Sequence, residues 1–135
     1  MSENLAETYE MTAKEKKFVG LHLGVAIFAL TLGSLFGPLQ AFQHAGWDLY
    51  PYIKPLFKSY YQGLTLHGVL NALVWTTFFI TGFLTLAVTR GLNRPLVAPK
   101  LNWAGYWTMV VGLVMAAVPL LLDEATVLYT FYPPL

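Results

Sequence analysis

Ser59 to Thr89 reads SYYQGLTLHGVLNALVWTTFFITGFLTLAVT, with no side chain charged at neutral pH and a single imidazole, His67. A helix needs roughly 20 apolar residues to cross the hydrocarbon core of a bilayer. This stretch is longer than a perpendicular span requires, so it predicts a tilted helix or one with a protruding end. At about 100° per residue, Tyr60, Gly63, His67, Asn71, Val74, Phe78 and Thr81 fall on one narrow face. Asn71, deep in the span, needs a hydrogen-bond partner that lipid does not offer, so this face is expected to look into protein.

Two further apolar runs flank this one. The first extends from Phe18 to Phe42, interrupted by His22, with Gly33, Ser34 and Gly37 forming a small-residue face suited to close helix packing. Pro38 is expected to kink its outer end, because it lacks an N–H and crowds the preceding turn. The other runs from Leu101 to Leu122 and carries Trp103, Tyr106 and Trp107 at its start. Composition agrees with this pattern: 56% of the residues are hydrophobic and 11% charged, against about 45–50% and about 25% in soluble domains. A chain this short cannot bury such an excess in a core of its own. We therefore expect an all-α membrane protein with three transmembrane helices, at approximately 18–42, 59–89 and 101–122. Residues 1–17 form a polar N-terminal tail and residues 18–135 the transmembrane region.

Between the first two spans, Gln43 to Lys58 reads as a loop, with Pro51, Pro55 and aromatic residues suited to the headgroup level. Lys14, Lys16 and Lys17 precede the first span, and Arg90, Arg94 and Lys100 lie between the second and third. The opposite side carries Lys54 and Lys58. The positive-inside rule then predicts a cytoplasmic N-terminus and an external C-terminus. The first apolar run is longer than a signal-peptide core and lacks an Ala-x-Ala cleavage pattern, so it reads as retained.

Several chemistries are excluded. With no cysteine there is no disulfide, thiolate metal site or thiol nucleophile. The net charge is +1 and the basic residues form no stripe, which argues against nucleic acid as a partner. Intramembrane ionisable groups are functional candidates, and His67 is the leading one. A neutral imidazole can bind heme iron axially. Gly63, one turn earlier on the same face, would let a flat macrocycle approach the backbone. His67 lies about eight residues in from the outer end of the span, or about 12 Å at 1.5 Å per residue. A histidine there can also simply hydrogen-bond to a neighbouring helix, and position and chemistry leave both readings open. His22, about one turn inside the first span, reads as a packing or interfacial residue. His44 lies in the outer loop without an assigned role, and Asp123 and Glu124 read as solvating the end of the third span.

Three runs carry a family resemblance. SYYQGLTLHGVLNALVW, Ser59 to Trp75, closely resembles the second helix of subunit I of B-type heme–copper terminal oxidases. GSLFGPLQAF, Gly33 to Phe42, resembles the outer end of the first helix of that subunit, and EATVLYTFYPPL, Glu124 to Leu135, the segment after its third helix. The order and separations match as well. The resemblance implies that His67 is one axial ligand of the low-spin heme b and that Tyr129 is near the high-spin heme; helix periodicity then puts Gly63 and Asn71 on the heme-facing side with His67. It implies a respiratory enzyme of the bacterial or archaeal plasma membrane. There, electrons pass from cytochrome c, through a two-copper centre on subunit II, to heme b and on to a high-spin heme with copper. Oxygen is reduced to water at that centre and protons are translocated.

The resemblance also implies what these residues do not supply. The second heme b ligand, the high-spin heme ligand and the copper-binding histidines come from later helices in the family. We therefore expect the chain to be the N-terminal portion of a longer subunit I, with a natural split subunit that assembles with the rest as the alternative, and to be inactive alone. Nitric oxide reductases share the histidine-ligated low-spin heme and are the alternative within the superfamily. A three-helix membrane subunit without a cofactor is the non-enzymatic alternative.

Overall fold

A computed structural model describes residues 9–125 and contains, among them, only helices and connections. Helix α1 is Ala13–His44, α2 is the short Tyr50–Ile53, α3 is Tyr60–Gly91 and α4 is Pro99–Leu121. α1, α3 and α4 are each long and apolar enough to cross a membrane, so the three expected spans are present. The loop between the first two differs from expectation only in holding the single turn α2, started by Pro51 just inside it.

α1 begins five residues before its apolar run because its start is set by capping rather than hydropathy. The Thr12 hydroxyl accepts from the Glu15 N–H, and the Glu15 carboxylate accepts from the Thr12 N–H at 2.8 Å, a reciprocal capping box. The same carboxylate accepts from the Tyr9 hydroxyl at 2.7 Å and, through its other oxygen, from the Leu96 N–H at 2.7 Å. The Tyr9 N–H also donates to the Asn93 side chain. Residues 9–12 are thereby fastened to the connection between α3 and α4 instead of hanging free. The hydrogen bond to the Glu15 carboxylate holds the Tyr9 phenol above its usual pKa. Removing a carboxylate that serves several donors leaves backbone N–H groups unmet, so Glu15→Ala is expected to cost about 1–2 kcal/mol. Urea unfolding in detergent micelles, compared with Lys16→Ala one position along the helix, measures it.

At the other end, Gln62 plays a matching part for α4. The last carbonyls of a helix lack intrahelical donors. The fully buried Gln62 amide donates to the Leu120 and Leu121 carbonyls at 3.0 and 3.1 Å and accepts from the Lys58 N–H at 2.7 Å. Lys58 Nζ donates to the Leu122 carbonyl at 3.1 Å, and the Ser59 hydroxyl to Asp123 at 3.0 Å. Asp123 therefore anchors the end of α4 to the start of α3 as well as facing water.

α3 packs along α1 over most of its length, whereas the α4 backbone comes near only the first turns of α3, and its Tyr106, Met109, Val110 and Leu113 side chains reach the core. Phe18, Ala26, Ala29, Val74, Phe78 and Tyr106 form the main core. Leu101, Val111, Val114, Met115 and Val118 of α4 face outward, as side chains against lipid or further helices do.

One irregularity positions the site. Within α3, Val69–Val74 form a π-helical segment, whose i→i+5 bonds place an extra residue in the turn. In a straight α-helix, residues spaced four apart drift around the axis. Here the wider turn keeps Leu70, Phe78 and Gly82 against α1: Leu70 at Gly33, and Phe78 and Gly82 at His22. Below the segment Gly82 therefore takes the close-packed position that simple periodicity assigns to Thr81.

Candidate functional site

His67 and Asn71 lie on the turns where the α-helical part of α3 meets its π segment, facing the small-residue face of α1. Close approach is possible because α1 offers no side chain there. A Cβ added at Gly33 would overlap the Asn71 amide group and come within 2.9 Å of Leu70 Cβ, and one at Gly37 would sit 3.3 Å from His67 Cε1. The expectation that Gly33 and Gly37 permit close packing holds, and their partners are the candidate histidine and asparagine. α1 continues as a helix through Pro38 to His44.

The hydrogen bonding of the imidazole is specific. His67 Nδ1 lies 2.8 Å from the Gly33 carbonyl oxygen. A carbonyl can only accept, so Nδ1 carries the proton and donates, which leaves the lone pair on Nε2. The Asn71 amide nitrogen lies 3.2 Å from the same Nδ1; with the proton on Nδ1, that contact is satisfied when the amide is turned so that its oxygen faces the ring and its nitrogen faces Gly33. Asn71 thus steadies the ring from its own helix, one turn on, while Gly33 holds it from the neighbouring helix. A neutral imidazole with Nδ1–H committed to a carbonyl is the form that ligates metals through Nε2. His67 is half-buried, and among the described residues its hydrogen bonds all go to Nδ1. This arrangement fits a heme-iron ligand.

Gly63, one turn before His67, lies against side chains of this chain. Tyr50, reaching in from α2, covers it: a Cβ at Gly63 would overlap the Tyr50 hydroxyl and lie 3.0 Å from Gln40 Nε2. Gln40 Nε2 donates to the Tyr50 hydroxyl at 2.8 Å. Both side chains are buried, and burial raises the Tyr50 pKa. The physical reason is steric. The connection between α1 and α3 is long enough to fold back, and glycine is the residue over which a phenol can lie flat on a helix. Periodicity detects that Gly63 shares a face with His67, but not which neighbour takes its space.

The remaining candidates separate cleanly. His22 is fully buried; its Nδ1 donates to the Phe18 carbonyl at 2.9 Å, and its ring lies 4.8 Å from that of Tyr106 and 4.5 Å from that of Phe18. It is a packing residue of an aromatic cluster, far down α1 from His67. His44 Nε2 lies 3.2 Å from the Tyr60 hydroxyl at the outer end. Tyr129 falls outside the described residues. Among the described residues no group of three or more His, Cys, Asp or Glu comes together as a metal site, so His67 would share an iron only with a ligand from elsewhere.

Comparison with known proteins places the chain in a family. The family model described as cytochrome c and quinol oxidase polypeptide I matches residues 17–135. The chain is 48% identical over 138 aligned residues to cytochrome c oxidase subunit 1 of Thermus thermophilus. That alignment covers 99% of this chain and 24% of the relative, so the chain spans about a quarter of the length of the protein it matches. With three helices fit to cross a bilayer and this match over nearly its whole length, the chain is a membrane protein that belongs to the cytochrome c and quinol oxidase polypeptide I family.

Proposed function

We propose that the chain supplies the first three membrane spans of the catalytic subunit of a heme–copper terminal oxidase and contributes His67 as one axial ligand of low-spin heme b. The observation that carries this reading is the 2.8 Å bond from His67 Nδ1 to the Gly33 carbonyl, which commits Nε2 to a lone pair on the face shared with Asn71. When bound, the heme supplies one-electron redox chemistry. The protein's part is positional. The Gly33 carbonyl fixes the tautomer and makes the ring a better donor. Asn71 restricts its rotation, and the glycines of α1 bring both helices close enough for these contacts. Tyr50 and Gln40 close the cleft between α1 and α3 on the outer side of His67.

In the complete enzyme, on this reading, electrons arrive from cytochrome c through a two-copper centre on subunit II. Oxygen is reduced at a high-spin heme and copper held by the remainder of subunit I, with proton translocation across a bacterial or archaeal plasma membrane. The test is affinity purification of the tagged chain from membranes that also carry the rest of the oxidase. Heme b and cyanide-sensitive oxygen uptake with reduced cytochrome c are expected to co-purify, whereas the 135-residue chain alone gives uptake at background. A heme-free preparation devoid of oxidase subunits would reject the proposal.

The same reading places the N-terminus in the cytoplasm and the C-terminus outside, from the distribution of Lys and Arg. Single cysteines at Ser2 and Thr130 test it with an impermeant maleimide on intact cells. Reagent is expected to reach Thr130→Cys and not Ser2→Cys, and the reverse pattern contradicts the orientation.

A further inference from the structure

The end of the bundle opposite the His67 cleft carries a second feature. A cleft of about 700 Å³ opens between the start of α1 and the start of α4, lined by Lys14, Glu15, Lys17, Phe18, Leu96, Pro99, Lys100 and Trp103. Its three ammonium groups come from both helices. Its single carboxylate, Glu15, is held ionised, its pKa lowered to about 2 chiefly by the Leu96 N–H, so three ammonium groups against one carboxylate leave the lining positive. Among the described residues no ion pair is made by Lys14, Lys17 or Lys100. Two helix N-termini meet here, and their aligned peptide dipoles add positive potential to that of the lysines. The floor is apolar and aromatic, with the Phe18 and Trp103 rings 5.3 Å apart and edge-on. Tryptophan and lysine at the end of a span mark the level of the lipid headgroups.

We propose that this cleft seats the phosphate-bearing headgroup of an anionic phospholipid, with Lys14, Lys17 and Lys100 around the phosphate and Phe18 and Trp103 against the glycerol and the first acyl carbons. Two features commit it to a lipid rather than a soluble anion. The positive charge sits on the rim of an apolar floor, matching an amphiphile's order of groups, and the cleft lies where two spans leave the bilayer. Basic recesses between spans at the positive side of a membrane bind anionic headgroups by this combination. By anchoring the starts of α1 and α4 to one lipid, the site would reinforce the aromatic contacts of Phe18 with Trp103 and Tyr106 that already join the two helices there.

The experiment compares the purified membrane assembly with a variant carrying Lys14→Gln, Lys17→Gln and Lys100→Gln. A control of equal charge change carries Lys16→Gln, Lys54→Gln and Arg94→Gln. Each is titrated with phosphatidylglycerol and with phosphatidylcholine, and bound lipid is counted by native mass spectrometry. The proposal expects phosphatidylglycerol to be retained over phosphatidylcholine. It expects the cleft variant to bind one phosphatidylglycerol about a hundred-fold more weakly, at roughly a factor of five per lysine, with the control unchanged and millimolar inorganic phosphate failing to displace the lipid. Equal retention of the two lipids overturns it, as does equal loss in cleft variant and control. Displacement by inorganic phosphate overturns the lipid assignment in favour of a free-anion site.

Discussion

His67→Ala is expected to abolish the low-spin heme b signal of the assembled oxidase. On the proposed ligation the substitution removes the iron-binding nitrogen itself, so heme b is expected to be either missing from the purified enzyme or converted to high spin, and electron entry to the oxygen-reducing centre to fail. Oxygen uptake should fall by several orders of magnitude, because the missing step has no parallel route on this reading. The reduced-minus-oxidised spectrum together with heme content per enzyme measures the effect. The matched control is His22→Phe. His22 lies in the cluster of Phe18, Phe78 and Tyr106, so replacing it with another aromatic ring should disturb packing and leave the heme b band in place. An unaltered low-spin band in His67→Ala, with normal heme content, rejects the ligand assignment.

Gly33→Ala carries the second large effect, and it acts without touching a metal ligand. A Cβ at that position overlaps the Asn71 amide and crowds Leu70 Cβ. Leu70 Cβ stands on its own helix backbone and cannot swing away, so α1 and α3 must separate. Overpacking of this kind costs about 1–3 kcal/mol. Separation also draws the Gly33 carbonyl away from His67 Nδ1, and losing the outer hydrogen bond of a metal-binding histidine typically costs about 10–100-fold in metal affinity or activity. The expected outcome is an enzyme that assembles with reduced thermal stability, a lowered heme b content and a shifted heme b midpoint potential. Gly63→Ala is the informative comparison. Its Cβ meets the Tyr50 hydroxyl, the far end of a side chain that can rotate out, so the Gln40 bond is lost while the contact between His67 and Gly33 survives. Heme b should be retained there. A larger heme loss in Gly63→Ala than in Gly33→Ala would favour the expectation that Gly63 lies against the macrocycle.

The spans were legible because hydropathy over some twenty residues is a direct measure of the cost of burial in lipid. Their ends were less so. α1 starts where Thr12 and Glu15 cap it, at a spacing visible in the sequence but hidden by a boundary drawn at the first apolar residue, Phe18. The other helix ends shift by a residue or two, within the range over which helix limits are ordinarily defined.

The site was half legible. Its identity as a polar face of α3 followed from periodicity, and His67 from the chemistry of an imidazole inside a membrane. Its partners did not follow, since pairing between helices depends on which small residues allow backbone approach. Gly33 and Gly37, four residues apart, advertised a close contact without naming what fills it. The π segment at Val69–Val74 was invisible for a related reason. VLNALV satisfies an ordinary α-helical pattern, and only packing against α1 over the full length of α3 favours the extra residue. The loop residue Tyr50 carried the most misleading signal, because an aromatic beside proline near a span end reads as a headgroup anchor, whereas here it is inserted over Gly63.

The most direct test of the account is a density map of the assembled oxidase at a resolution that separates the two imidazole nitrogens of His67 by their surroundings. The expected map shows low-spin heme iron bonded to His67 Nε2, with Nδ1 in hydrogen-bond contact with the Gly33 carbonyl and the Asn71 amide beside it. Heme iron ligated by another residue of this chain, or a His67 ring turned so that Nε2 meets the Gly33 carbonyl, contradicts the proposed ligation.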